Sequence, residues 1–580
     1  MRPLNDSTGL RHVGGLTRRQ ALAGVASLGL LAAAPVTRVQ TAARQDVTLM
    51  QPSGPTAPGA PRSGGRLVAG TPREPDSLHP WLATTVAAFD LLEGVMDGLL
   101  RYTAEGRLRP ALAEGFSISD DGLTYTFALR RGVLFHNGEP FSGEDFIAAW
   151  ELAQTREFEA LSTLGWQKVE RVDLPDAATL VVTTTEPYAP FLSTVATTYL
   201  CPRAALAEGI DTFRATFDRA PVGTGPFRVG SWEPGDRVAL VRWDGYWGEP
   251  ALLEEISYRF LPDEDALLAA LAAGDIDLAG GAGAVPPQRV DEAATIPGLT
   301  LFRHGTMNWQ HIDLKQMGFL RETAVRQALD FATPRERIIA EVLGGRAIPA
   351  FADQSPASWA YRETLQSRSF DPERAAGLLA DAGLRAGDDG VLARDGTRFE
   401  IDLWGVRDDG QARAILEFIA AEWNAIGVST LPQYAPPDEL WGPLGYQFSD
   451  RMTGCLYTWT NANDPDDLFY WHSSQIPVSP GASGGNLPAF FYPYAFQEEI
   501  DALTEEAAST LDFAVRQSLY GDIQTLLLEE APVLFLSWEE AFPAVRHEVG
   551  GFWPSAWTPL LWNAAEWYLA QPGAAATPAP

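Results

Sequence analysis

Hydrophobic positions recur along the chain with two different periods, and Gly and Pro separate the stretches. Leu123, Tyr125, Phe127 and Leu129 alternate with polar or small residues directly after Asp120-Asp121-Gly122. That alternation predicts a half-buried strand entered by a tight turn. Val133, Phe135 and the Asn137-Gly138 turn predict the next hairpin element. Ser142 and Asp145 fit a capping box before a helix over residues 146–153. Strands are expected over 237–242 and 256–260. Asp263-Glu264-Asp265 then opens a helix that Gly274 closes, and 276–278 is extended again. This strand–helix–strand order predicts an α/β lobe.

From about residue 306 the helical period is more frequent. Ala324, Val325, Ala328, Leu329 and Phe331 share one face, and Asp371-Pro372-Glu373 opens a helix that Gly383 stops. Phe399, Ile401 and Leu403 form a strand. Ile415, Phe418, Ile419, Trp423 and Ile426 line a helix closed by Gly427. A last helix over 513–530 precedes a strand over 532–536. The second half thus repeats an α/β unit with its own core.

Composition narrows the function. The 580 residues carry a formal net charge of -32, which argues against a nucleic-acid partner because an acidic body repels phosphate backbones. Two cysteines, Cys201 and Cys455, make neither a disulfide framework nor a zinc site, and two free buried thiols are expected. The glycine loop Val222-Gly223-Thr224-Gly225-Pro226-Phe227 lacks the Lys-Ser/Thr ending of a phosphate-binding loop and reads as a backbone turn. No HExxH and no nucleophile elbow is present, and the histidines form no close ligand pair. A catalytic role, a metal and a cofactor are therefore not expected.

Residues 1–43 read as an export signal. Arg11, Arg18 and Arg19 precede an uncharged stretch of small and apolar residues from Ala21 to Ala34, too short to span a bilayer. Thr17-Arg18-Arg19-Gln20-Ala21-Leu22 resembles a twin-arginine (Tat) motif, and no lipobox cysteine follows. The chain is expected outside the cytoplasm, in the periplasm or at the cell envelope. Residues 44–64 read as a flexible Pro/Gly/Ser linker and 570–580 as a flexible tail.

Several longer pieces occur in one order along the chain. They include Pro110-Ala111-Leu112-Ala113-Glu114-Gly115-Phe116, Ser119-Asp120-Asp121-Gly122-Leu123-Thr124-Tyr125-Thr126-Phe127 and Phe135-His136-Asn137-Gly138-Glu139-Pro140-Phe141. The glycine loop, Gly274-Asp275-Ile276-Asp277, Val325-Arg326-Gln327-Ala328-Leu329 and Asp464-Pro465-Asp466 continue it. In these the chain resembles family 5 of the extracytoplasmic solute-binding proteins, which serves peptide and nickel ABC importers. The resemblance implies an α/β, two-lobed periplasmic-binding-protein-like fold (type II, cluster C) with an extra β-rich subdomain. Lobe 1 would take residues 65–305, with the subdomain at about 98–220. Lobe 2 would take 306–534, and 535–569 would return to lobe 1. A monomer is expected, partnered by the transmembrane permease of an ABC importer.

In peptide-binding relatives an acid a few positions before the Asp-Pro motif holds the ligand's amino group. Asn461 stands at the best-matching position, and an amide cannot make that charge-assisted bond. This departure counts against ordinary peptides and keeps an oligosaccharide open beside an oligopeptide. Trp459, Thr460, Asn461, Asn463, Trp309, Trp404 and Trp166 could supply aromatic platforms and neutral hydrogen bonds, and Glu74 stands on a loop that the family places at the cleft edge. Two other readings stay open: a secreted hydrolase with an unrecognised carboxylate pair, and a receptor that feeds a sensor.

Overall fold

The strand Arg66–Thr71 is apolar on both faces, and that decides its place. Leu67 and Ala69 are buried with Leu240, Ile256 and Tyr258, while Val68 packs on the opposite side with Leu267, Leu271 and Ile276. A strand covered on both faces belongs inside a sheet. The computed structural model, which describes residues 49–158, 165–365 and 368–570, places it in a seven-stranded sheet. The spatial order is Leu299–Leu301, Ala544–Arg546, Leu278–Ala279, Arg66–Thr71, Glu255–Phe260, Arg237–Arg242 and Phe227–Glu233. Arg66–Thr71 runs parallel to both its neighbours. The helix Glu264–Ala273 opens at Asp263, whose side chain accepts from the Ala266 amide, and ends at left-handed Gly274.

A second sheet has six strands, ordered Ala347–Pro349, Val533–Ala541, His304–Leu314, Gly454–Thr460, Glu400–Val406 and Ser429–Ala435. One of its cores joins Ile312, Leu403, Leu456 and Leu534 to Val325, Leu329, Ile419 and Trp423. The other joins Trp309, Phe535 and Trp538 to Tyr520, Ile523 and Leu527 of the helix Phe513–Glu530. A four-stranded antiparallel sheet, Ala113–Ile118, Thr124–Leu129, Thr179–Thr184 and Val169–Asp176, has a separate core around Tyr125, Phe127, Phe146 and Phe191. The Ser142–Asp145 capping box is present, and its helix, Gly143–Ala153, begins directly after it.

The fold is thus α/β with two lobes and an added β-rich unit between Arg66–Thr71 and Phe227–Glu233. The chain passes between the two large sheets at residues 302–303 and again at 542–543. Arg303 and Glu540 staple these crossings together by a bidentate ion pair, at 2.8 and 2.6 Å. Cys201 and Cys455 are both free and buried.

The expected export signal and residues 571–580 lie outside the described residues. The expected linker is bound to the body where it is described. Met50 bridges Phe302, Thr56 bonds to Val549 and Phe552, and the Gly59 carbonyl accepts from the Tyr568 hydroxyl. A segment without apolar period still carries unpaired backbone donors and acceptors, and here they find partners on the body.

Candidate functional site

A cavity of about 810 Å³ lies where the two lobes meet at the crossings. One wall comes from lobe 2 and the crossing strands: His304, Thr306, Asn308, Glu539, Glu540 and Ala541. The facing wall includes Arg73, Glu74, Thr85, Asp90, Ala282, Pro554, Ser555 and Trp562. That volume lies within the range of about 300–1,000 Å³ usual for small-molecule sites.

The lobe-2 wall carries an ordered polar row. Glu539 and Glu540 are adjacent in one strand, so their side chains leave opposite faces of the pleat. Glu540 meets Arg303. The Glu539 carboxylate instead accepts from Thr458 Oγ1 at 3.1 Å and Asn308 Nδ2 at 2.9 Å. Asn308 is oriented in turn by Thr460, whose hydroxyl donates to Asn308 Oδ1 at 2.7 Å. His304 bonds to the Gly305 carbonyl, and burial lowers its pKa, which keeps it neutral.

On the facing wall Asp90 is held by three donors. Its carboxylate accepts from the Tyr258 hydroxyl and the Ala282 amide on one oxygen, and from the Leu560 amide on the other. Burial pushes its pKa up to about 6 against the pull of these donors. Gly281 makes this approach possible: a Cβ there would stand 2.0 Å from Asp90 Oδ2. Asp90 therefore fastens the helix Val86–Val95 to two chain segments at the cavity, with three of its roughly four acceptor positions taken by the protein.

The lobes touch on either side of the cavity. Tyr188 donates to Asp466 at 2.5 Å, the Ala189 amide donates to the Ala508 carbonyl, and Asn463 Nδ2 donates to the Trp557 carbonyl at 2.8 Å. At the other end Gln288 bonds to Gln411 at 2.7 Å, and Arg346 pairs with Asp291.

Of the residues expected to hold ligand, Glu74 lines this cavity, accepting from Trp232 Nε1 and the Gly235 amide. Thr460 touches the wall through Asn308. Asn463 makes a contact between lobes. Trp166 borders a separate cavity of about 230 Å³, with Trp81, Tyr188, Asp464 and Asp466. Trp404 is buried on Tyr446, away from the cleft, its indole donating to the Arg451 carbonyl. Trp309 and Trp459 pack against each other and against Tyr470. Asn461 is 5% exposed, and its amide serves the interior. Its Oδ1 accepts from Trp309 Nε1 at 2.6 Å, and its Nδ2 donates to the Asp353 carbonyl at 3.1 Å. Behind it Asp353 and Asp467 are buried together. Burial raises both pKa values, Asp353 to about 6, so the pair retains a proton. Asp464 forms a bidentate ion pair with Arg516.

Asn308 and Glu539 are absent from the sequence expectations. The one available signal was the acidic pair after Ser537-Trp538 in an otherwise apolar strand. Among the described residues no cluster of His, Cys, Asp and Glu is suited to hold a metal ion, and no helix is long and apolar enough to cross a membrane.

Two α/β lobes joined by paired crossings, with a cavity between them, define a two-lobed binding protein that encloses a small solute. Comparison with known proteins identifies which. Residues 107–476 match the bacterial extracellular solute-binding proteins, family 5, middle region, and the chain belongs to that family. It is 26% identical over 512 residues to the dipeptide-binding protein of Escherichia coli (strain K12), covering 82% of this chain and 90% of that one. It is 27% identical over 483 residues to heme-binding protein A of Haemophilus influenzae, covering 77% and 81%. In fold it is similar to the oligopeptide-binding protein AppA of Bacillus subtilis in complex with a nonapeptide. There the TM-score is 0.74 at 24% identity, over 88% of this chain and 100% of that one.

Proposed function

We propose that this protein is the extracytoplasmic receptor of an ABC importer and captures a peptide-sized solute by closing its lobes. The observation that carries this is the cavity of about 810 Å³ at the paired crossings, with hydrogen bonds joining the lobes on both sides of it. Closure would expel water and present one shape to a permease. Polar side chains dominate the lobe-2 wall, and Trp562 is the one tryptophan among the lining residues. That favours a polar peptide-like solute over an oligosaccharide stacked between aromatic faces. The relatives' dipeptide, nonapeptide and heme cargoes agree with a receptor whose cleft is remodelled from member to member.

Thermal unfolding in the presence of peptide and oligosaccharide pools tests the reading. A solute at ~100 times its dissociation constant adds roughly 2.7 kcal/mol. A rise in melting temperature with peptides supports it. A rise with oligosaccharides alone refutes the peptide assignment, and release of a hydrolysed product refutes a pure receptor.

A further inference from the structure

The polar row on the lobe-2 wall holds one carboxylate in an unusual state. Glu539 lines the cavity and is half-buried, yet its two hydrogen-bond partners are neutral: Thr458 and Asn308. Among the described residues no Arg, Lys or His pairs with it. The other carboxylates at the cavity are all accounted for. Glu540 is neutralised by Arg303, Asp90 is buried and held by three donors, and Glu74 is bonded to Trp232 and Gly235 with Arg219 at 4.0 Å. A carboxylate in such a site accepts more hydrogen bonds than the two it has, and closing the cleft strips it of water.

From this we infer that Glu539 is the anchor for a positively charged ammonium group of the solute. The inference rests on the receptor reading above and names the chemistry of what the cavity takes. Thr458 and Asn308 position the carboxylate, and Thr460 fixes the Asn308 amide so that its Nδ2 faces Glu539. The cation is then met by a preoriented acceptor in a low-dielectric pocket. Arg73 lines the facing wall and pairs with no carboxylate among the described residues. It complements Glu539 for a solute that carries both charges, as an unblocked peptide does. The amide at residue 461 is consistent with this placement: the charge is met from a different strand.

The test uses three probes on the whole protein: a tripeptide library without Lys or Arg, the same library with acetylated amino ends, and a neutral oligosaccharide mixture. The free-amine library is expected to raise the melting temperature and the acetylated one is not. The variant Glu539→Gln is nearly isosteric, and its unliganded melting temperature shows whether it folds. It should weaken free-amine binding by roughly 30-fold or more, as loss of one partner of a desolvated charge pair does. Glu539→Asp keeps the charge and covers the case in which the amide variant fails to fold; it should retain part of the affinity. Equal binding of free and acetylated peptides, or an affinity that Glu539→Gln leaves unchanged, overturns the anchor alone and leaves the receptor intact. Oligosaccharide binding without peptide binding also overturns it. No shift with any probe refutes the peptide-sized-solute reading, and the anchor with it.

Discussion

Asn461→Asp places a carboxylate where the family resemblance leads one to be expected, and the structure predicts a penalty that depends on pH. The amide is buried, with its oxygen on Trp309 and its nitrogen on the Asp353 carbonyl. A carboxylate keeps the first bond, loses the second and faces a carbonyl oxygen. It also lies beside the buried Asp353–Asp467 pair. A protonated carboxyl escapes this, because its O–H can donate to Asp353 as the amide did. Folding should therefore raise the new group's pKa by roughly 2–3 units through burial. At 1.36 kcal/mol per unit this amounts to about 3–4 kcal/mol. The sign follows from proton counting. Below the unfolded pKa of about 3.9 both states are protonated and little is lost. As pH rises toward the folded value, the unfolded chain releases its proton first and stability falls. Urea unfolding should show a loss of about 1–2 kcal/mol at about pH 5 and about 3–4 kcal/mol at about pH 8, each relative to the wild type at the same pH. A loss below ~1 kcal/mol that is the same at both values would show residue 461 to be solvated and free to meet a solute.

Three further outcomes are expected. Tyr188→Phe keeps the buried ring and deletes the hydroxyl that joins the lobes at Asp466, weakening closure by about 1.5–3 kcal/mol; small-angle scattering should report a larger radius of gyration, and an unchanged profile would refute this contact as a latch. Arg516→Ala leaves the half-buried Asp464 without its cation and should lower unfolding stability by about 2–4 kcal/mol, which denaturant titration reads directly. Asp90→Asn removes a titration: with a folded pKa of about 6, the wild type should lose about 2 kcal/mol relative to this variant as pH rises from about 4 to about 6. A pH-independent difference between the two would show that folding leaves the pKa of Asp90 at its unfolded value.

Local patterns marked most elements because their causes are local. Asp263 and Gly274 bound a helix through a cap and a left-handed exit, both written within one or two turns of chain. The alternation of Tyr125, Phe127 and Leu129 marked a strand because each buries alternate side chains whatever it pairs with. The site was less legible. Trp309 and Trp459 read as platforms for a ligand, yet they pack against each other and against Tyr470. The Asn461 amide is engaged by Trp309, which lies 152 positions away.

The sequence by itself determined the α/β alternation, the two units with separate cores, the acidic body and the family. These follow from short-range periods and from long ordered motifs. Tertiary structure alone decided which polar groups remain free for a solute. The availability of a carboxylate depends on what the rest of the fold brings against it, and adjacent Glu539 and Glu540 differ for that reason. One leaves the pleat toward Arg303 and is paired with a cation, while the other leaves it toward the cavity and meets only the neutral side chains of Asn308 and Thr458.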